Sequence, residues 1–227
     1  MSLVDWHMTA QQQISLSYAN AHTINLAFEN EDIKQLLNRS DITYCDGNGV
    51  RWAAKQYGID IPERHTGADW IWKLAKEAEQ QQWTLYWIGN EAGLTELASE
   101  RLRAHFPDLQ VHCDHGFHPS SGPEHEAMLT RIEDANPDIL LVGMGTPTQE
   151  IWIEKHRERL SSIPILWALG AAAEFVAHPE TRPGPKWMTE HLEWVSRLMA
   201  DPGRMWKRYL LGNPKFVWRI WTRTEEK

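Results

Sequence analysis

The sequence predicts an α/β protein with a doubly wound, mostly parallel, Rossmann-like sheet of about six strands and a C-terminal helical appendage. Short apolar segments alternate with helical patterns from residue 14 to about residue 170, which is typical of a parallel sheet with helices on both faces. Residues 139–142 are continuously apolar, as in a strand buried on both faces. Several predicted strands end in turns that contain glycine, where open α/β sheets bind ligands.

The individual elements follow from this alternation. Apolar runs bounded by turn residues predict six strands, at 14–18, 41–45, 83–89, 109–113, 139–142 and 163–169. Helical spacing between them predicts helices through 24–28 and at 31–38, 49–57, 69–82, 91–105, 123–135 and 151–160. Asn20 lies where the first strand meets a helix, and we expect it to cap that helix.

Composition narrows the class of protein. The chain has 227 residues and a net charge of −8, with two cysteines, which argues against a disulfide framework and favours a reducing compartment. No apolar run reaches the roughly 18 residues that a membrane span needs. The first 13 residues are polar and lack the apolar stretch of a signal peptide. We therefore expect a cytoplasmic protein.

The C-terminal region differs from the rest in charge. Residues 1–181 carry 13 Lys/Arg and 26 Asp/Glu, whereas residues 182–227 carry 10 and 5. Prolines and a glycine at 183–185 mark a boundary, so we predict a catalytic α/β domain at 1–181 and a helical appendage at 182–227. Helical patterns in the appendage cover about 187–200, 202–211 and 214–223.

The appendage mixes basic residues with Trp, Tyr and Leu. Six basic residues and no acidic one occur between positions 204 and 223: Arg204, Lys207, Arg208, Lys215, Arg219 and Arg223. This composition favours a helix lying on an anionic membrane, so we predict a protein bound peripherally to the inner face of the cell membrane. The alternative is that the aromatic rings pack on the domain and the charges face water. The acidic remainder of the chain argues against nucleic acid as the partner.

Asp46 stands at the end of the second predicted strand, followed by Gly47, Asn48 and Gly49. Glycines in such a turn allow positive φ angles or the close approach of a ligand. A carboxylate at the carboxyl end of a strand points into the crevice where α/β proteins bind ligands. The alternative is that Asp46 only caps the next helix, and the local pattern does not decide between them.

A second glycine turn follows the fifth predicted strand. Gly143 and Gly145 precede a helix that begins near Gln149 and Glu150. The third glycine of a dinucleotide fingerprint is missing, which disfavours a nicotinamide cofactor. A glycine turn at a helix N-terminus still offers backbone N–H groups and a positive dipole end to an anion.

Metal binding has little support in the sequence. Asp114, His115 and His118 share a loop, but their spacing matches no defined zinc motif. No Asp-x-Asp motif occurs anywhere in the chain. We therefore expect no cofactor and no required metal.

Arg64, in another polar loop, is either a solvated surface charge or a ligand for phosphate or carboxylate.

Several of these stretches, in order, resemble the WecG/TagA/CpsF family of bacterial glycosyltransferases, glycosyltransferase family 26. The resemblance extends from about residue 14 to residue 214. The segments that carry it are Asp46-Gly-Asn-Gly-Val50, Glu63-Arg-His-Thr-Gly-Ala-Asp69, Gly143-Met-Gly-Thr-Pro-Thr-Gln-Glu150, Leu192-Glu-Trp194 with Arg197-Leu198, and Asp201-Pro-Gly-Arg204 with Arg208-Tyr209.

The resemblance implies an inverting transfer of N-acetylmannosamine, glucose or a similar sugar from a UDP-sugar to a sugar on a polyprenyl diphosphate, in cell-surface polysaccharide synthesis. It implies that Asp46 is the general base and that Arg64 and Gln149 act in catalysis. Asn20 matches the Asn of the family's Thr-x-Asn motif, but Tyr18 replaces its Thr. Gly47, Asn48, Gly49, Gly143, Gly145 and Glu150, together with Tyr18 and Asn20, are the predicted substrate-binding residues.

Two other functions remain as alternatives on the same fold. One is a nucleotide-binding oxidoreductase, which would bind NADH. The other is a non-catalytic adaptor, which would bind a nucleotide or a membrane without turnover. The sequence leaves a homo-oligomer open.

Overall fold

A six-stranded sheet organises the fold. The computed structural model describes residues 12–63, 65–181 and 193–224. The strands are β1 (Ile14–Ala19), β2 (Ile42–Cys45), β3 (Thr84–Gly89), β4 (Gln110–Asp114), β5 (Ile139–Gly143) and β6 (Ile165–Ala168). Their order across the sheet is β2-β1-β6-β5-β3-β4, and the β1–β6, β6–β5, β5–β3 and β3–β4 pairs are parallel. The predicted fold class is confirmed.

The middle of the sheet is fully buried. Leu141 of β5 pairs in register with Trp87 of β3 and with Trp167 of β6, and none of the three is more than 1% exposed. All five residues of β5 are buried. This burial explains why residues 139–142 are apolar without alternation, since both faces of the strand are covered.

Helices connect the strands along the chain. They are α1 (Ala21–Glu29), α2 (Glu31–Asn38), α3 (Asn48–Gln56), α4 (Gly67–Gln81), α5 (Leu94–His105), α6 (Pro123–Ala135), α7 (Thr148–His156) and α8 (Ala172–Ala177). The helix predicted at 151–160 begins earlier, at Thr148, and ends earlier, at His156. The short helix α8 was not predicted, because its run of small residues gave no periodic signal.

The contacts of the described residues form two compact units. The first unit contains residues 12–17, 39–42 and 67–177. Its core lies among β3, β5, β6, α6 and the segment after α7, and includes Ile88, Met128, Ile132, Leu140, Val142, Leu160 and Leu166. The second unit contains residues 18–38, 43–63, 65–66, 178–181 and 193–224.

The C-terminal helices of the second unit are α9 (Glu193–Ala200), α10 (Pro202–Trp206) and α11 (Gly212–Thr224), with a π-helical turn at Lys207–Leu211. The predicted break between helices at 212–213 is wrong, because α10, the π turn and α11 follow one another directly. The π turn lies just before Pro214, which has no N–H to donate to the preceding turn. The part of the helix predicted at 187–192 lies outside the described residues.

One partly buried hydrogen-bond cluster holds α11 within the second unit. Arg219 donates from Nη1 to the backbone oxygen of Asn25 at 3.0 Å and to its side-chain oxygen at 2.9 Å. Arg219 Nη2 also lies 3.0 Å from a carboxylate oxygen of Glu29. Phe216 and Ile220 of α11 pack in a cluster with Ala53 of α3.

The predicted boundary between residues 181 and 182 stays a prediction. Residues 182–192 lie outside the described part of the chain. In the described part, the C-terminal helices group with residues 18–38, 43–63 and 65–66.

Candidate functional site

A cavity of about 440 Å³ lies in the second unit and contains the Asp46 turn. The predicted site residues Asn20, Asp46, Gly47, Asn48 and Gly49 all line it. Its other lining residues are Ala21, His22, Trp52, Trp194, Arg197, Arg208, Tyr209, Asn213, Phe216 and Val217. Residues far apart in the sequence therefore meet at one concave site, the usual form of a small-molecule binding site.

Hydrogen bonds hold both the backbone and the carboxylate of Asp46 at the start of the turn. The backbone N–H of Asp46 donates to the oxygen of Ala19 at 2.8 Å, at the end of β1. One carboxylate oxygen accepts a 3.3 Å hydrogen bond from the side-chain amide of Asn20. Gly47, not Asp46, is the N-cap residue of α3, and no side-chain capping bond forms there. Asp46 borders the cavity, and its role as a site residue stays a prediction.

Asn20 connects Asp46 to the start of α1. Its side-chain oxygen accepts from the backbone N–H groups of His22 and Thr23, both at 3.0 Å. Thr23 completes a capping box by accepting from the backbone N–H of Asn20 at 2.8 Å. The predicted cap is confirmed. Because the oxygen faces the helix, the amide N–H₂ is directed to Asp46, which fixes the carboxylate.

Gly47 has a backbone conformation that favours glycine. Its φ angle is +112°, a conformation that side-chain-bearing residues rarely adopt. This turn ends β2 and starts α3 within two residues, so that Asp46, Gly47 and Asn48 all border the same cavity.

Two arginines and two aromatic pairs complete the cavity. Arg197 comes from α9 and Arg208 from the π turn. Trp194 and Tyr209 lie with ring centroids 6.1 Å apart, and Trp52 and Phe216 form an edge-to-face pair at 6.4 Å. The cavity thus combines one carboxylate with cations and apolar ring surfaces, a set suited to a ligand that is both anionic and partly apolar.

Sequence reasoning assigned Arg208 to the membrane and missed Arg197 and the aromatic residues as cavity components. The signal was present, because the Leu-Glu-Trp and Arg-Tyr segments that carry Trp194, Arg197, Arg208 and Tyr209 belong to the family resemblance. Local pattern gave no reason to direct those side chains to Asp46.

Tyr18 is buried beside the cavity residues but does not line the cavity. It is 8% exposed, and its ring lies 6.1 Å from that of Tyr44 in a tilted arrangement. Its predicted role in substrate binding stays a prediction. Arg64 lies outside the described residues, as does the side chain of Arg204.

The second glycine turn lies in the first unit. Gln149 is fully buried, and both ends of its amide have protein partners. The amide nitrogen donates to Glu150 at 2.8 Å, and the amide oxygen accepts from the backbone N–H of Gly170 at 3.1 Å. Burial raises the pKa of Glu150, although hydrogen bonds from Gln149 and Thr146 partly oppose the shift. The predicted roles of Gln149 and Glu150 in catalysis and substrate binding stay predictions.

Close backbone packing explains the glycines at the ends of β3 and β5. A Cβ atom on Gly89 would lie 2.4 Å from the oxygen of Gly143, and one on Gly143 would lie 2.9 Å from the oxygen of Gly170. Gly145 has a φ angle of +77° and no atom near its missing Cβ. Nearby, the buried side-chain nitrogens of Trp87 and Asn90 have no hydrogen-bond partner among the described residues.

The Asp114 loop forms a hydrogen-bonded network. His118 Nε2 and Asp114 lie 3.0 Å apart, and Arg131 pairs with the same carboxylate. Arg131 and His118 hold the pKa of Asp114 below its usual value despite burial, which acts in the opposite direction. The rings of His115 and His118 are stacked 4.0 Å apart at 18°. Nearly parallel rings at this separation cannot both direct an in-plane lone pair at one ion about 2.1 Å away.

The other basic residues of the appendage differ in their surroundings. Lys207 is exposed, and Lys215 lies 2.6 Å from Glu29 with half of its side chain exposed. Arg219 is only 14% exposed and is held by Asn25 and Glu29. Arg223 is exposed and stacks over the ring of Phe28 at 4.6 Å. Their membrane-binding role stays a prediction.

Large apolar side chains are exposed along the same segment. Trp218 and Trp221 of α11 are 62% and 63% exposed, and Leu210 and Leu211 of the π turn are 53% and 59% exposed. Within the described residues, no helix combines the length and the apolar character that crossing a bilayer requires.

Comparison with known proteins identifies the family of the chain. The chain is 27% identical over 204 residues to an N-acetylglucosaminyldiphosphoundecaprenol N-acetyl-beta-D-mannosaminyltransferase of Staphylococcus aureus strain MRSA252; the match covers 89% of this chain and 77% of that protein. The protein of the same description from strain NCTC 8325 / PS 47 is 26% identical with the same coverage. The profile of the glycosyl transferase WecG/TagA/CpsF family matches residues 1–227. The chain belongs to the WecG/TagA/CpsF family of glycosyltransferases.

Proposed function

We propose that this glycosyltransferase moves a sugar from a UDP-sugar to a sugar on a polyprenyl diphosphate and inverts the anomeric centre. The observation that carries the proposal is the cavity in which the Asp46 carboxylate faces the same space as Arg197 and Arg208. Transfer to a diphosphate-linked acceptor requires a proton acceptor, cations for the diphosphate and apolar surface for the sugar and lipid. The cavity contains all three.

Asp46 serves as the general base in this proposal. It accepts the proton of the acceptor hydroxyl while that oxygen attacks the anomeric carbon of the donor sugar. The bond between the anomeric carbon and the diphosphate oxygen breaks, and its electron pair leaves with UDP. A single displacement of this kind inverts the anomeric centre. The hydrogen bond from Asn20 orients the carboxylate and disfavours its rotation away from the acceptor.

Arg197 and Arg208 bind diphosphate oxygens in this proposal. Guanidinium groups donate in a planar fork that matches phosphate oxygens, and their charge persists at every physiological pH. Trp194 and Tyr209 lie on the same segment as the two arginines and supply flat apolar surface beside them. Catalytic roles for Arg64 and Gln149 rest on the family resemblance.

The donor and acceptor are proposed from the relatives. The Staphylococcus aureus proteins are described as transferring N-acetyl-beta-D-mannosamine to N-acetylglucosaminyldiphosphoundecaprenol. We therefore place UDP-N-acetylmannosamine first among donors, with UDP-glucose next, and lipid-linked N-acetylglucosamine first among acceptors. We also propose that transfer needs no metal, a point that activity in EDTA tests directly.

The membrane proposal rests on the exposed aromatic and basic residues of the C-terminal segment. Trp218 and Trp221 are one turn apart on α11, with more than half of each side chain exposed. Lys207 and Arg223 are exposed on the same segment. Aromatic and basic residues together favour the interface of an anionic bilayer. This attachment would bring the enzyme to the cytoplasmic face, where a lipid-linked acceptor is found.

A donor screen with a matched variant tests the proposal. The full chain is incubated with a panel of nucleotide sugars and a short-prenyl diphosphate-linked N-acetylglucosamine, and products are identified by mass spectrometry and the new linkage by NMR. We expect one donor to give an inverted disaccharide. Arg208→Met should lower kcat/KM at least tenfold, whereas Arg39→Met, on a side chain 60% exposed, should not change it.

Failure of every donor with this acceptor would overturn the proposal. Binding of UDP or of anionic vesicles without any turnover would favour the adaptor alternative. Saturable binding of NADH would favour the oxidoreductase alternative, which family membership disfavours.

A further inference from the structure

His22 occupies the cavity without an assigned role. It is the second residue of α1 and lines the same space as Asp46 and Arg208. Its backbone N–H donates to the side-chain oxygen of Asn20, so its backbone is held by the same residue that contacts Asp46. The imidazole itself has no hydrogen-bond partner among the described residues. A half-buried imidazole with two polar atoms that borders a cavity is suited to contact a ligand.

The charges around His22 come from several elements. Arg208 of the π turn and Arg197 of α9 border the cavity, Asp46 follows β2, and Glu29 ends the helix on which His22 lies. Glu29 is occupied by Lys215, at 2.6 Å, and by Arg219, at 3.0 Å. The start of α1 also places the positive end of a helix dipole beside the ring.

The protonation state of His22 follows from these surroundings. Burial, and next the nearby Arg208, lower the pKa of His22 to about 4, while Glu29 acts weakly in the opposite direction. The ring is therefore neutral at physiological pH and offers one N–H donor and one acceptor nitrogen. A neutral donor beside arginines adds a hydrogen bond for an anion without adding like-charge repulsion in the empty cavity.

We infer that His22 is a substrate-binding residue that donates a hydrogen bond to a diphosphate oxygen, alongside Arg208. This inference rests on the proposed function, because it assumes that a substrate diphosphate enters the cavity. Both the lipid-linked acceptor and the nucleotide-sugar donor carry a diphosphate. Both substrates offer the same diphosphate oxygens to a hydrogen-bond donor, so a separate titration of each substrate is needed to tell which one His22 contacts.

Two variants separate hydrogen bonding from shape. His22→Leu removes the donor and keeps a side chain of similar reach, whereas His22→Gln keeps a neutral N–H donor. Losing a hydrogen bond to a charged group lowers affinity by roughly ten- to a hundredfold. We therefore expect His22→Leu to weaken the binding of one diphosphate ligand by that factor and His22→Gln to recover most of it. His105→Leu, on an exposed histidine of α5, is the control.

The test is isothermal titration calorimetry of the full chain and its variants, once with UDP and once with a short-prenyl diphosphate-linked N-acetylglucosamine. The KM for each substrate in the transfer assay and the thermal midpoint of each variant are measured alongside. We expect a rise in one KM with little change in kcat, and thermal midpoints close to wild type.

The outcomes distinguish the inference from the proposed function. If wild type transfers sugar and His22→Leu binds both ligands as tightly as wild type, the inference is wrong and the proposed function stands. An equal loss in His22→Gln and His22→Leu would also refute hydrogen-bond donation by the ring. If wild type neither binds nor uses the lipid diphosphate and UDP, the proposed function itself fails.

Discussion

Replacing Arg219 by Met should destabilise the second unit far more than replacing its neighbour Lys215. Arg219 is 14% exposed and donates to both oxygens of Asn25, a residue that is itself 6% exposed. The backbone oxygen of Asn25 keeps its place in the hydrogen bonds of α1, so the loss of Arg219 leaves the side-chain oxygen of Asn25 without this donor, which costs about 1–3 kcal/mol. Met preserves the aliphatic stem. We therefore expect the free energy of unfolding to fall by about 1–3 kcal/mol.

Lys215 is the matched control because it contacts the same carboxylate, that of Glu29, from a half-exposed position. A pair of this kind contributes less than about 1 kcal/mol, so Lys215→Met should change stability little. Differential scanning fluorimetry should show a fall in melting temperature of about 2–12 °C for Arg219→Met. Equal melting temperatures for the two variants would refute the assignment of Arg219 as the residue that holds α11 in place.

Three further predictions concern stability. His156 is buried against His125, and burial, followed by His125, lowers its pKa to about 4. As the pH falls from 6.5 to 4, the unfolded chain therefore binds the proton before the folded chain does, and the free energy of unfolding declines by at most about 1.4 kcal/mol per pH unit. His156→Leu should flatten the profile of melting temperature against pH in that window. An unchanged slope would contradict this. Gly89→Ala would place its Cβ atom 2.4 Å from a backbone oxygen and should prevent soluble expression. Gly58 has a φ angle of +74° and open space around its missing Cβ, so Gly58→Ala should lower the free energy of unfolding by only about 1–2 kcal/mol in thermal melts. Phe216→Ala, at a side chain 2% exposed, should lower the free energy of unfolding by about 3–5 kcal/mol in urea titrations, against less than about 0.5 kcal/mol for the exposed Trp218→Ala.

The strands and the Asp46 turn were predictable because their causes are local. Apolar runs that end in glycine turns identify strand ends, and parallel strands present those ends at one edge of the sheet. Asn20 was predictable as a cap for the same reason, since the residues it binds are two and three positions along the chain. These local rules identified Asn20 as a cap and the Asp46 turn as a candidate site, but they did not decide between a site and a helix cap for Asp46, and the substrate-binding role of Asn20 came only from the family resemblance.

The roles of the appendage cations were not predictable in this way. Arg208 and Arg219 stand in similar basic and aromatic surroundings in the sequence. In the structure, Arg208 lines the cavity and Arg219 binds Asn25, which is 194 positions away in the chain. The direction of each side chain depends on the rotation of its helix against a distant partner. The π turn at Lys207–Leu211 changes that rotation, and no sequence signal short of the family motifs reports it.

The most direct test of the central claim is the transfer rate of Asp46→Asn. The variant keeps the shape of the side chain and removes its ability to accept a proton, so kcat should fall by about 10²–10⁴-fold, with thermal stability and UDP affinity close to wild type. Asp60→Asn, at an exposed loop carboxylate, should transfer at the wild-type rate. Transfer by Asp46→Asn at the wild-type rate would contradict the assignment of Asp46 as the general base.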